Sequence, residues 1–141
     1  MRAAHKSIIV TGAGGGIGEG IARRLAAEGA AGVVNDIHAA RGEKVAADIR
    51  DAGGRARFVA GDVTQGSHWQ ALVGAAQDFG GKLDVIVNNA GWTHRNRPML
   101  EVGEAEFDKV YAVNMKSLYW SAIHGVPAMK QAGGGSFINI A

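Results

Sequence analysis

The chain has 141 residues, 47% of them hydrophobic, with a formal net charge of +2 and no cysteine. That length sets the expectation of one domain with enough apolar residues for a core, and the interspersed charges, with no basic block or stripe, argue against nucleic acid as the main partner. The absence of cysteine excludes disulfides and thiolate metal sites, and no run approaches the roughly 18 apolar residues of a membrane span, so a soluble, cytoplasmic chain with no membrane partner is expected.

Glycine is abundant, 22 residues against two prolines, which reads as many tight turns. The first elements lie around Lys6 to Gly18, KSIIVTGAGGGIG. Ile8-Ile9-Val10 predict a buried strand over 7–11, and Gly12, Gly14, Gly15, Gly16 and Gly18 a turn. Ile17, Ile21, Ala22 and Leu25 predict the apolar face of a helix over 17–28, which Gly29 closes. Strand two, over 32–36, ends in Asp36, and a helix over 39–52 turns Val45 and Ile49 inward and stops at Gly53-Gly54. Strand three, over 56–60, leads through Gly61-Asp62-Val63 to Thr64, read as the N-cap of a helix over 65–79. Strand four covers 83–87 and enters Asn88-Asn89-Ala90-Gly91; a polar loop covers 92–102, and one long helix covers 104–131. Gly133-Gly134-Gly135 breaks that helix before a fifth strand over 136–140.

Strands and helices alternate, and the strands read as apolar throughout, as when both faces are covered. The expected fold is α/β, a doubly wound, Rossmann-like parallel sheet of order 3-2-1-4-5 in one domain over 1–141. Such sheets bind ligands at the C-terminal ends of their strands, near the reversal of strand order. Gly12 allows the sharp turn out of the strand, Gly16 lets backbone amides approach a pyrophosphate, and Gly18 lets the helix pack close. The positive end of that helix then faces the phosphates. Glycine-rich turns also serve as plain structural loops. The context favours a dinucleotide: a strand before, a helix after, and Asp36 lying 24 positions beyond Gly12 (36 − 12), near the roughly 20-residue offset of a carboxylate that holds a ribose 2′-OH. Asp36 would repel a 2′-phosphate, and Ile37 brings no cation to hold one, so NAD is expected over NADP. Asp62, with Val63, suits the adenine amino group. Asn89, Ala90 and Gly91 present a small, flat surface for the nicotinamide-side ribose. Asn88 reads as a turn residue whose amide bonds local backbone. His94 and Arg95 belong to a solvated loop, and His5, His68 and His124 share no ligand spacing, so no metal is expected.

Together these residues resemble the short-chain dehydrogenase/reductase family. Thr11-Gly12-x-x-x-Gly16-Ile17-Gly18 is similar to its glycine motif, Asp62-Val63 to its adenine-site motif, and Asn88-Asn89-Ala90-Gly91 to its strand-four motif. Asn114, in Val113-Asn114-Met115, is similar to its helix asparagine, and Phe137-Ile138-Asn139-Ile140 to the strand leading to its catalytic serine. The resemblance runs over the whole chain. It implies an NAD-dependent oxidoreductase that interconverts a small-molecule alcohol and a carbonyl by hydride transfer. It implies that Gly12, Gly14, Gly15, Gly16, Ile17 and Gly18, with Asp36, Ile37, Asp62, Val63, Asn89, Ala90 and Gly91, bind the cofactor, and that Asn114 supports a proton relay.

In the family a serine holds the substrate oxygen and a tyrosine, its pKa lowered by a lysine, supplies the proton. The serine would follow strand five, and no Tyr-x-x-x-Lys is present: Met115 lies four residues after Tyr111, and Ile123 four after Tyr119. Both tyrosines read as packing residues, and Ser117 and Ser121 are given no role. The 141 residues are therefore expected to be a cofactor-binding half, inactive and marginally folded alone, with strand five a bare edge. The other class that fits is a non-catalytic NAD-binding module or sensor. Val110, Val113, Leu118, Ile123 and Val126, with Tyr111, Tyr119 and Trp120, spread over more than one side of the helix 104–131. That predicts a homo-oligomer, a dimer or tetramer, with this helix in its interface, and the resemblance implies the same pairing.

Overall fold

The computed structural model describes residues 1–141. In chain order the elements are β1 (Ser7–Val10), α1 (Gly16–Ala27), β2 (Ala31–Asp36), α2 (Ala39–Asp51), β3 (Arg55–Ala60), α3 (Gly66–Gly80), β4 (Val85–Asn88), α4 (Glu104–Tyr111), α5 (Ser117–Gln131) and β5 (Ser136–Asn139). The strands form one parallel sheet in the expected order, β3-β2-β1-β4-β5. Side chains alternate across a strand, so the run Ile8-Ile9-Val10 feeds both layers. Ile8 and Val10 pack with Val34 against Ala22 and Ala26 of α1 and Val45 and Ile49 of α2. Ile9 packs with Val33 and Ile86 against Trp69, Leu72 and Ala76 of α3 and Met129 of α5. Burying each large aliphatic of this kind contributes about 1.5–3 kcal/mol.

Several expectations are corrected. The apolar face of α1 does not begin at Ile17, which is 67% exposed; Gly18, Ala22 and Ala26 are its buried residues, and Ile21 and Leu25 pack half-buried against the same cluster, as expected. Thr64 does not cap α3. Its N–H and its hydroxyl both donate to Asp62 Oδ1, at 2.9 and 2.7 Å, and α3 begins at Gly66 with no side-chain cap. Only the three inner strands are buried along nearly their whole length. The edge strand β3 exposes Arg55 and Arg57, whose guanidinium groups lie 5.2 and 5.1 Å from the Phe79 ring centroid, and the other edge strand, β5, is mostly exposed. Charge on an edge strand discourages further pairing. The helix expected over 104–131 is interrupted: α4 passes through a π segment, Ala112–Lys116, into α5. Tyr111 and Tyr119 are not packing residues within the chain; both are more than half exposed. Asn88 does not bond local backbone. Its amide donates to Ser121 Oγ at 3.1 Å and Asn139 Oδ1 at 3.0 Å, tying β4 to α5 and β5, so Ser121 does carry a structural role.

β4 begins at Val85, two residues later than expected, because Asp84 is a junction. Its side chain is 8% exposed, Oδ2 accepts from the Ser7 N–H at 2.8 Å, and Oδ1 lies 3.1 Å from Lys82 Nζ and 3.5 Å from Lys6 Nζ. Burial pushes this carboxyl up, but the Ser7 N–H and the two ammonium groups outweigh it and hold it below the usual carboxylate range. A depressed folded-state value means stability that is present above the unfolded value, near 3.9, and lost as pH falls through the folded one. Asp84→Asn should therefore cost about 1–3 kcal/mol at neutral pH. In thermal melts the gap between wild type and variant should close as pH drops below about 4.

Candidate functional site

The loops that leave β1, β2, β3 and β4 meet at one end of the sheet and enclose a cleft of about 560 Å3. Gly12, at φ +61°, turns the chain out of β1 beneath the β4 loop; a Cβ there would stand 2.8 Å from Ala90 Cα. Thr11 supports both sides of this contact, its Oγ1 accepting from the Asn89 and Ala90 N–H groups at 3.1 and 3.0 Å. The Asn89 amide in turn donates to the carbonyls of Thr11 and Gly12, at 3.0 and 3.2 Å. At the end of β2, Asp36 reaches the glycine turn: Oδ2 accepts from the Gly14 N–H and Oδ1 from the His38 N–H, both at 2.9 Å. No side chain caps α1, so the N–H groups of its first turn are without a partner of their own.

Three side chains outside the glycine turn shape the floor and the β3 side. Asn35 is 1% exposed; its Nδ2 donates to Val59 and Gly61 carbonyls at 3.1 and 3.2 Å, its backbone carbonyl accepts from the Ala13 N–H, and its Oδ1 has no partner. Trp69 Nε1, fully buried in α3, donates to the Val63 carbonyl at 2.9 Å. His68, one residue earlier, accepts the Asp62 N–H on Nδ1 at 2.7 Å. On the β4 side, Asn114 makes a two-way pair with the backbone of Trp92, accepting its N–H at 2.9 Å and donating to its carbonyl at 2.8 Å. Lys109 Nζ lies 4.0 Å from the centroid of the Trp92 ring, a cation–π contact at the cleft wall.

A family model described as short chain dehydrogenase matches residues 6–141. The chain belongs to the short-chain dehydrogenase family. Among curated members, 4-formylbenzenesulfonate dehydrogenase of Comamonas testosteroni is 48% identical over 133 residues, covering 94% of this chain and 53% of that protein. Among solved structures, 7α-hydroxysteroid dehydrogenase complexed with NADH and 7-oxo glycochenodeoxycholic acid superposes with a TM-score of 0.93 at 36% identity, covering 99% of this chain and 54% of that one. A metagenomic short-chain oxidoreductase in complex with NADP gives a TM-score of 0.92 at 34% identity, covering 100% and 64%. The chain spans about half the length of the curated relatives it matches.

Of the residues singled out in this short-chain dehydrogenase from sequence, the cleft is lined by Gly12, by Asp36 and Ile37, by Asp62 and Val63, and by Asn89, Ala90 and Gly91. Gly14, Gly15, Gly16, Ile17 and Gly18 belong to the adjoining turn and the start of α1 rather than to the lining, and Asn114 stands behind it, holding Trp92. Asn35, Trp92 and Lys109 also line the cleft and escaped the sequence reading. An asparagine inside the otherwise apolar run Gly32-Val33-Val34 was a usable signal for the first. Lys109 lies one helical turn before Val113, which is also in the lining, and that spacing could have pointed to it.

Proposed function

We propose that this chain is the cofactor-binding half of an NAD-dependent oxidoreductase that interconverts an alcohol and a carbonyl by hydride transfer. The carboxylate of Asp36 carries the proposal, because it stands at the β2 end of the cleft and already touches the glycine turn. The residues present fit a nicotinamide dinucleotide. Nothing lies within 4 Å of a Cβ placed on Gly15 or Gly16, so a pyrophosphate has an open approach to the uncapped start of α1. Asn35 Oδ1 supplies a buried acceptor without a partner. Bound there, the dinucleotide supplies the carbon that gives or takes the hydride. The glycine turn holds the phosphates, Asp36 a ribose 2′-OH, Asp62 and Val63 the adenine, and Asn89 to Gly91 the second ribose. Asn114 keeps the loop beside them in place through Trp92.

The related structures carry NADH in one case and NADP in the other, so the choice rests on this chain's own residues. Asp36 disfavours a 2′-phosphate, and Ile37 offers it no cation. Arg41 of α2 borders the glycine turn, its Cβ 3.0 Å from a Cβ placed on Gly14. The test is to titrate the complete protein with NAD and NADP and follow NADH formation over aromatic alcohols and hydroxysteroids, chosen from the relatives' substrates. Tighter binding of NADP would overturn the cofactor choice. NAD binding without turnover across the panel would favour the non-catalytic module.

We also propose that a second copy of the protein covers α4 and α5. Phe107, Tyr111, Met115, Tyr119, Ile123 and Val126 form an exposed apolar stripe along them, and an apolar stripe of that length marks an interaction surface. Tyr111→Glu with Tyr119→Glu should weaken self-association by at least about tenfold, as for buried aromatic anchors. Sedimentation of the complete protein reads this, and a wild-type monomer would sink it.

A further inference from the structure

Asp62 is held by two kinds of bond. Its carboxylate accepts from the Thr64 N–H and hydroxyl. Its own N–H donates to Nδ1 of His68, in the first turn of α3, at 2.7 Å. A ring nitrogen can accept only while the imidazole is neutral; the imidazolium has two N–H donors and no acceptor. The next residue, Val63, is fixed through its carbonyl by the indole N–H of Trp69, which does not titrate. The loop that lines the β3 side of the cleft therefore has one anchor that a proton removes.

We infer that His68 is a positioning residue for this side of the cleft: as a neutral ring it fixes Asp62, and on gaining a proton it releases the loop and weakens dinucleotide binding. This rests on the cleft being the dinucleotide site. His68 is exposed, so protons reach it freely. Other charged groups do not replace the lost bond. α3 packs against β1, β2, β3 and α5. β1 carries no charge, and Asp36 of β2 is engaged by the Gly14 and His38 amides. Arg55 and Arg57 of β3 lie over Phe79, in the last turn of α3 beside Asp78 and at the opposite end from His68. On α5, His124 stacks on Trp120 and Lys130 lies in the final turn. The carboxylate of Asp62 is the nearest charge in the loop, and Thr64 already engages it.

The test measures NAD dissociation constants calorimetrically at pH 8.0 and 5.5 on the complete protein, as wild type, His68→Asn and His68→Leu. Wild type should lose roughly three- to tenfold in affinity at the lower pH, the worth of one hydrogen bond. The asparagine variant keeps an acceptor oxygen that does not titrate, so it should bind like wild type at pH 8.0 and hold that affinity at pH 5.5. The leucine variant should bind as weakly at pH 8.0 as wild type does at pH 5.5, and stay flat. If it proves unstable in melts, the asparagine variant carries the test. A pH dependence retained in His68→Asn would point to His38, which also lines the cleft, and would overturn the inference. A flat wild type would overturn it too, with NAD binding itself left standing. Absence of NAD binding at both pH values would instead remove the dinucleotide site on which it rests.

Discussion

Gly18→Val should abolish measurable NAD binding and lower the melting temperature, because Gly18 is buried in the first turn of α1. A Cβ on Gly18 would collide with the Asn89 side-chain amide and stand 2.5 Å from the Gly12 carbonyl oxygen and 3.0 Å from Ala13 Cα. Those atoms belong to the β4 loop and to the glycine turn, and the Asn89 amide already binds the two together. The variant must push α1 away from both. Overpacking of this kind costs about 1–3 kcal/mol, and the displaced turn is the one proposed to hold the phosphates. Gly16→Ala is the contrast. Nothing stands within 4 Å of its Cβ, but φ is +57°, so only backbone strain is added, on the order of 1 kcal/mol. Calorimetry and melting on the pair decide the matter. If Gly18→Val binds NAD like wild type, the close packing of α1 on the turn is not what shapes the site.

Asp36→Ala should weaken NAD binding by about 10- to 100-fold, the range for a charge-assisted hydrogen bond, and should narrow the preference over NADP. The carboxylate has two duties that the alanine variant merges. One is the Gly14 N–H, accepted by Oδ2; the other is the ribose hydroxyl proposed for the cleft. Asp36→Asn separates them, because an amide oxygen can still accept one N–H while the negative charge is gone. Its NAD affinity should fall less than that of the alanine variant, while its discrimination against NADP should narrow as much. Equal discrimination in wild type and the asparagine variant would mean that charge at this position does not select the cofactor.

The fold was largely legible because its signals are local. Ile8-Ile9-Val10, Val33-Val34 and Ile86-Val87 are short apolar runs bounded by glycine or polar residues, and the sheet they form has the order read from the alternation of elements. The site was legible where glycine or a carboxylate marks a strand end, as at Gly12 and Asp36. Thr64 was misread because a cap and an Asx turn use the same residue types, and the carboxylate of Asp62, two positions back, engaged the hydroxyl first. His68 left no pattern at all, since the bond to Asp62 depends on where the first turn of α3 points its side chains. The exposure of Tyr111 and Tyr119 was hidden for another reason. Periodicity reports that a side chain is apolar, not which body covers it.

The π segment Ala112–Lys116 has a rotational consequence for that surface. An α-helix advances about 100° per residue, so side chains four apart creep around it by about 40° at each step. From Phe107 through Tyr111, Met115 and Tyr119 to Ile123 an unbroken α-helix would have swung the last about 160° from the first. A turn closed by i→i+5 bonds holds about 4.4 residues, or roughly 82° each, and five such residues return about 90° of the creep. Phe107 and Ile123 then point within about 70° of one another. Wound as plain α-helix, the same residues would put Phe107 and Ile123 on nearly opposite sides, and no single flat partner surface could cover both.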